Sequence, residues 1–339
     1  MENHEHGLKR HLKARHIRLM ALGSTIGVGL FLGSATAIQI AGPSILLAYL
    51  LAGMVAFVVL RTLGEMAVHE PVAGSFASYA STYVNPLTGY MEGWGYWTYW
   101  VVVAIAEVTA VGIYMGMWFP DTPQWIWALS SIVLMGLINM IAVKVFGEFE
   151  FWFALIKIVA IVLMIVLGAA VIFLGFTNDW VPMGLSNLWQ HGGFFPNGLS
   201  GLLLSLHMVL FAYVGIEMIG LSAGEAQNPK TTIPMAIDSL TWRILIFYLG
   251  ALLVILAIFP WNEVGQHGSP FVAMFERIGL REAAGLINFV VITAALSSCN
   301  AGIFSGGRLL WALSANGYAP KRFAYLSNNG VPHRAVIGT

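Results

Sequence analysis

Residues 20–33 read Met20-Ala21-Leu22-Gly23-Ser24-Thr25-Ile26-Gly27-Val28-Gly29-Leu30-Phe31-Leu32-Gly33, an apolar run interrupted by glycine. Each glycine costs a helix about 1 kcal/mol relative to alanine, so four of them need a reason. Two readings are open. Glycines four apart, at 23/27 and 29/33, suit close helix packing. They equally suit an unwound segment whose free N–H and C=O groups face a ligand, because unpaired backbone inside a membrane is tolerated only against a cavity or within protein. A dinucleotide fingerprint is excluded, since the spacing of Gly27, Gly29 and Gly33 is wrong and no strand precedes it.

The surrounding composition makes a membrane the setting. Of 339 residues, 58% are hydrophobic and 9% charged, with 16 Lys plus Arg balancing 16 Asp plus Glu. Mean hydropathy is +0.78. Soluble domains carry about 25% charged residues. A disordered chain, a disulfide scaffold and a nucleic-acid binder with a basic face are excluded as well. The single cysteine, Cys299, has no internal disulfide partner, and no Cys/His metal cluster is present in the sequence. Residues 1–18 are polar and basic, with no cleavage site after the first apolar run, so the first helix is expected to act as its own insertion signal.

Apolar stretches near 17–40, 43–64, 87–118, 125–143, 150–175, 198–222, 240–260 and 282–313 predict about eight transmembrane helices. Turn residues separate them, among them Gly42-Pro43, Asn85-Pro86, Asn178-Asp179 and Pro260-Trp261-Asn262. With the N-terminus inside, most basic residues, including Lys9, Arg10, Lys13, Arg15, Arg18, Arg61, Lys144, Lys230 and Arg308, fall on the cytoplasmic side. Arg277 and Arg281 fall outside and Lys157 within a span. That asymmetry predicts a cytoplasmic N-terminus. The expected organisation is a cytoplasmic segment over 1–16, a membrane core over 17–313, and a cytoplasmic loop with the start of a ninth span over 314–339.

The sixth span carries a second interruption: Phe211-Ala212-Tyr213-Val214-Gly215-Ile216-Glu217-Met218-Ile219-Gly220. Broken helices at matching places in two halves point to an inverted repeat of five helices, with a substrate held at the bilayer midplane between the breaks. Ionisable residues inside spans cost a few kcal/mol each and call for a partner or a wet cavity. Glu107, Lys157 and Glu217 are such residues. Each alone is open to a structural reading, as a hydrogen-bonded carboxyl or an internal ion pair; together they favour a coupling role for at least one. Of nine histidines only His207 lies within a span, which cannot supply the paired ligands of a haem. It reads as a helix-packing residue.

At these residues the chain resembles a known family. Gly23-Ser24-Thr25-Ile26-Gly27-Val28-Gly29-Leu30-Phe31 is similar to the first-helix motif of the amino acid–polyamine–organocation permeases. Phe211-Ala212-Tyr213-Val214-Gly215-Ile216-Glu217 resembles their sixth helix, and Gly224-Glu225-Ala226-Gln227-Asn228-Pro229-Lys230-Thr231-Thr232-Ile233-Pro234 the signature after it. Val145-Phe146-Gly147-Glu148-Phe149-Glu150-Phe151-Trp152-Phe153 and Gly317-Tyr318-Ala319-Pro320-Lys321-Arg322-Phe323 point to the bacterial amino acid transporter branch, with its proline, aromatic, threonine and alanine/glycine/serine permeases.

The resemblance implies an all-α integral membrane protein with a LeuT-like five-helix inverted repeat. Because relatives have about twelve spans, the second repeat is expected to be truncated. It further implies that a substrate carboxylate sits on the N–H groups of Gly27, Val28 and Gly29. The α-ammonium would meet carbonyls at Thr25, Phe211 and Val214, with Gly215 beside them and the Phe211 ring as a wall. Lys157 matches a lysine that occupies the sodium position of sodium-coupled relatives, and Ser297 and Ser298 resemble the remaining hydroxyls of that vestigial ion site. Glu217 matches a glutamate tied to gating and proton binding, while Glu107 has a position but no assigned role.

The expected function is therefore import of a neutral amino acid by proton symport with alternating access across the bacterial inner membrane. It needs no cofactor beyond the coupling proton, no metal, no catalytic residue and no nucleic acid; its partners are the substrate and the bilayer. A truncated permease acting as a binding or accessory membrane protein is the alternative. A passive pore would need a continuous polar lining, which the clustering of polar groups at the breaks does not supply.

Overall fold

Proline, glycine and asparagine set the helix limits in the computed structural model, which describes residues 12, 17, 19, 23–72, 74–141, 143–266, 269–277, 281–327 and 330–339. The segments are α1 (Val28–Phe31), α2 (Gly33–Ala41), α3 (Ile45–His69), α4 (Ser75–Tyr83), α5 (Pro86–Met115), α6 (Gln124–Ile141), α7 (Val143–Leu174), α8 (Asn187–Gln190), α9 (Gly198–Ala212), α10 (Met218–Ser222), α11 (Pro229–Ile258), α12 (Pro270–Arg277), α13 (Arg281–Ala315) and α14 (His333–Ile337). Asn85 begins α5 by accepting the Thr88 N–H at 2.9 Å, with Pro86 in the first turn, where its missing N–H costs nothing. Helix makes up 78% of the structure, and no strand occurs among the described residues.

Among the described residues, six helices are long and apolar enough to cross a membrane: Gly33–His69, in which a 3-10 turn at Gly42–Ser44 joins α2 to α3, and Pro86–Met115, Gln124–Ile141, Val145–Leu174, Pro229–Ile258 and Gly285–Ala315. The other apolar stretches are the two that the chain interrupts. The outer faces of the six membrane-length helices carry exposed Val58, Leu129, Val133, Leu163 and Val166, as hydrocarbon rather than water would select. Three helices, α4, α8 and α12, lie where only connections were expected. The short α4 and α12 are too brief to stand out as apolar runs; α12 buries Phe271, Met274 and Phe275 and leaves Glu276 exposed.

The helices pack in two groups. α13 lies chiefly against α5, with α6 beside both, and α11 lies chiefly against α3, with α9 against α2 and α3. α7 touches both groups, through α13 and α11. The α5–α13 contact is close because Gly302 accepts the Trp100 ring; a Cβ there would stand 2.8 Å from it.

Two residues sit differently from expectation. His207 is exposed on the outer face of α9, its ring turned onto the Leu204 carbonyl, so it does not pack between helices. Arg308, counted among the cytoplasmic charges, is buried. It pairs with buried Glu225 at 2.8 Å and stacks 3.5 Å over the Phe304 ring. Of the expected segment 1–16 only Leu12 lies within the described residues. Its backbone pairs with the loop after α10: Leu12 N–H donates to the Glu225 carbonyl and Gln227 N–H to the Leu12 carbonyl, both at 3.1 Å.

Candidate functional site between two helix breaks

Glycine lets the first apolar helix open. Residues 23–25 are helical, 26 and 27 bend, and the helix resumes at Val28 after an extended Gly27 (φ −122°, ψ −157°). The second break spans 213–217, between α9 and α10, and turns on Gly215 at φ +99°. Only glycine adopts that conformation without strain. The two openings face one another. Ser24 Oγ donates to the Gly215 carbonyl at 2.9 Å, and a Cβ on Gly215 would stand 2.6 Å from the Ser24 carbonyl oxygen. The Tyr248 hydroxyl, from α11, contacts the Thr25 carbonyl at 2.9 Å and the Ala212 carbonyl at 2.6 Å, bridging the breaks.

Freed backbone groups need partners when buried. At the first break, Val28 N–H lies 3.4 Å from both carboxylate oxygens of Glu107, which reaches in from α5. The Ser298 hydroxyl of α13 bonds the same carboxylate. On the carbonyl side, Lys157 of α7 donates to Gly23 and, at 3.0 Å, to Ile26. At the second break, Glu217 folds back to accept the Gly215 N–H at 3.0 Å and the Tyr96 hydroxyl at 2.5 Å.

Thr25, Gly27, Gly29, Phe211, Val214, Glu107 and Ser298 thus line one cavity, with Ser24 and Val103. Its free space is about 10 Å³, on the scale of one water and too small for an amino acid. Val28 contributes its N–H to the rim, and Gly215 stands behind it on Ser24. Lys157 does not line this cavity and instead holds the Gly23 and Ile26 carbonyls. Ser297 and Ser298, neighbours in sequence, part company: Ser298 meets Glu107 while Ser297 donates to Glu150 at 2.5 Å. Glu217 sits at its own break, outside this cavity but lining a larger apolar groove beside α3.

Sequence reading missed Glu150, which is fully buried and also accepts from Asn300 Nδ2 at 3.3 Å. One signal was available, since it stands seven residues before Lys157 on the same helical face. Tyr96, which donates to the Glu217 carboxylate, and Tyr248, which meets two backbone carbonyls, were missed too; nothing in a tyrosine inside an apolar run marks it for either task. Among the described residues no cluster of His, Cys, Asp and Glu could hold a metal ion.

The amino acid permease family model matches residues 16–339. The chain is 58% identical over 339 residues to the uncharacterized amino acid permease YtnA of Bacillus subtilis strain 168, covering all of this chain and 73% of that protein. It is 54% identical to the probable threonine/serine transporter YbxG of the same organism, over 97% of this chain and 71% of that one. To the aromatic amino acid transport protein AroP of Escherichia coli O6:H1 strain CFT073 it is 47% identical, over 99% of this chain and 74% of that protein. Among solved structures, a manganese transporter of Eremococcus coleocola is similar in fold, with TM-score 0.58 and 14% identity over 96% of this chain and 68% of that one.

Proposed function

Because the chain belongs to the amino acid permease family, we propose that it carries a neutral L-amino acid together with a proton across the bacterial inner membrane, with its N-terminus in the cytoplasm. The observation that carries this reading is the Glu107 carboxylate on the Val28 N–H. A position that already accepts a carboxylate is suited to the carboxylate of an amino acid, which takes the place of Glu107. The carbonyls of Phe211, Val214 and Thr25 receive the ammonium; that of Thr25, which here accepts from the Tyr248 hydroxyl and the Gly27 N–H, exchanges one of these donors for it. The apolar wall of Val103, Val214 and Phe211 favours a neutral side chain. Relatives named for threonine/serine and for aromatic amino acids suit such a wall.

The cycle we favour is alternating access in a LeuT-like five-helix inverted repeat. The helices around α2, α3, α9 and α11 rock against α5, α6 and α13, and α7 serves as the gate between them. Support comes from the packing, which divides the helices that way, and from a cavity too small for substrate unless Glu107 and Phe211 move aside. Protonated Lys157 holds the first helix to α7 through two carbonyls; losing that proton releases the contact. Glu107 takes up a proton as substrate displaces it, Glu217 holds or frees the second break, and Ser297 and Ser298 steady the neighbouring carboxylates.

Uptake of labelled L-threonine in cells expressing the full product of the gene, with and without a protonophore, tests this. Unlabelled phenylalanine, proline, alanine and lysine compete alongside. Protonophore-sensitive uptake that neutral amino acids block and lysine does not is the expected result. Saturable uptake indifferent to the protonophore would remove the proton, and no uptake of any of the five, labelled in turn, would remove the transport reading.

A further inference from the structure

The mechanism above uses Lys157 and Glu107 and leaves the buried carboxylate of Glu150 without a task. Glu150 is fully enclosed two helical turns from Lys157, toward the end of α7 that the basic residues assign to the cytoplasm. Its carboxylate accepts from Ser297 and Asn300 on α13, and Asn300 is held in turn by Asn139 of α6 at 2.8 Å. From the first helix it meets Gly23, where a Cβ would lie 2.8 Å from Glu150 Oε1. That same Gly23 gives its carbonyl to Lys157. A single residue without a side chain therefore separates the carboxylate from the ammonium. The charged group within electrostatic reach of Glu150 is Lys157, which in turn is within reach of Glu107.

Two carboxylates thus flank one ammonium, all three buried, and this trio cannot be electrically neutral with all three ionised. One proton more than Lys157 carries balances the set. Resting on the proton-symport reading, we infer that Glu150 is the inner station of the coupling proton, receiving it from Lys157 and passing it to the cytoplasm. In the transfer an N–H bond of the Lys157 ammonium breaks and an O–H bond forms on Glu150, leaving a neutral amine and a neutral carboxyl. The carboxyl then releases its proton inward, and the amine is recharged when the site next opens outward. Glycine at position 23 keeps the passage between the two groups free of a methyl group.

Glu150→Gln keeps a side chain of the same shape that still accepts from Ser297 but cannot carry the proton. In membrane vesicles containing the full product of the gene, labelled L-threonine is followed in two modes: accumulation driven by an imposed pH gradient, and counterflow against unlabelled threonine. Gradient-driven accumulation is expected to fall about tenfold or more in Glu150→Gln while counterflow stays within about twofold. Glu150→Asp, which keeps the acid, is expected to restore most of the accumulation. Equal loss of both modes, or loss of neither, would overturn the relay and leave Glu150 a structural anchor between α7 and α13. Wild-type vesicles that show counterflow but no gradient-driven accumulation would overturn the symport reading itself, and the relay with it.

Discussion

The two helix breaks solve one problem in different ways. At the first, side chains of other helices hold the opened backbone: Val28 N–H by Glu107 of α5, and the Gly23 and Ile26 carbonyls by Lys157 of α7. At the second, the Gly215 N–H is held by Glu217 only two residues along the chain. A break tied by other helices changes partners whenever those helices move. A break that caps itself travels as one piece. The first is built to respond, the second to keep its shape, and Tyr248 links the two.

This contrast can be broken or sharpened by substitution. The largest effect is expected from Lys157→Met, which removes both carbonyl partners of the first break and the charge facing Glu107 and Glu150. Proton-driven threonine accumulation should vanish while some exchange persists; equal loss of both would refute a specific coupling role. Next comes Gly215→Ala. Left-handed backbone costs a residue with a Cβ about 1–3 kcal/mol, and the Ser24 contact at 2.6 Å adds to it. Its melting temperature in detergent should drop by several degrees, whereas a wild-type value would mean that the second break yields as readily as the first. Tyr248→Phe removes the hydroxyl that the Thr25 and Ala212 carbonyls share, at about 1–3 kcal/mol. A thermal shift smaller than that of Gly215→Ala, with substrate affinity lowered, would mark the hydroxyl as the link between breaks. The smallest change is Glu107→Gln. A neutral amide competes less well than a carboxylate for the Val28 N–H, so KM for threonine should fall about threefold, equivalent to less than about 1 kcal/mol. An unchanged KM would show that Glu107 and substrate do not share that position.

Much of this was legible in the sequence because the bilayer constrains it so strongly. The apolar runs became helices, and both glycine-rich interruptions became real breaks, since a hydrocarbon setting leaves few reasons to place Gly27 or Gly215 there. The buried positions of Glu107 and Lys157 followed from their apolar neighbours. What escaped had a physical cause as well. Glu150 stands at the edge of an apolar run, yet α7 begins at Val143, so the carboxylate lies two turns inside the helix. Arg308 looked like a cytoplasmic charge because basic residues gather on that side; its partner Glu225 is distant in sequence and visible only in the fold. The packing of α4 and α12 depends on neighbours rather than on their own composition.

The pairing of Leu12 with residues 225–227 has a consequence for biosynthesis. Leu12 leaves the ribosome roughly two hundred residues before its partner, and at about 5–20 residues per second this is a wait of some ten to forty seconds. Throughout that interval Leu12 has no docking place. The loop that will receive it arrives only once the second glycine hinge has been made, so the first hinge of the transporter is finished after the sixth apolar stretch has been laid down, and not in the order in which it was translated.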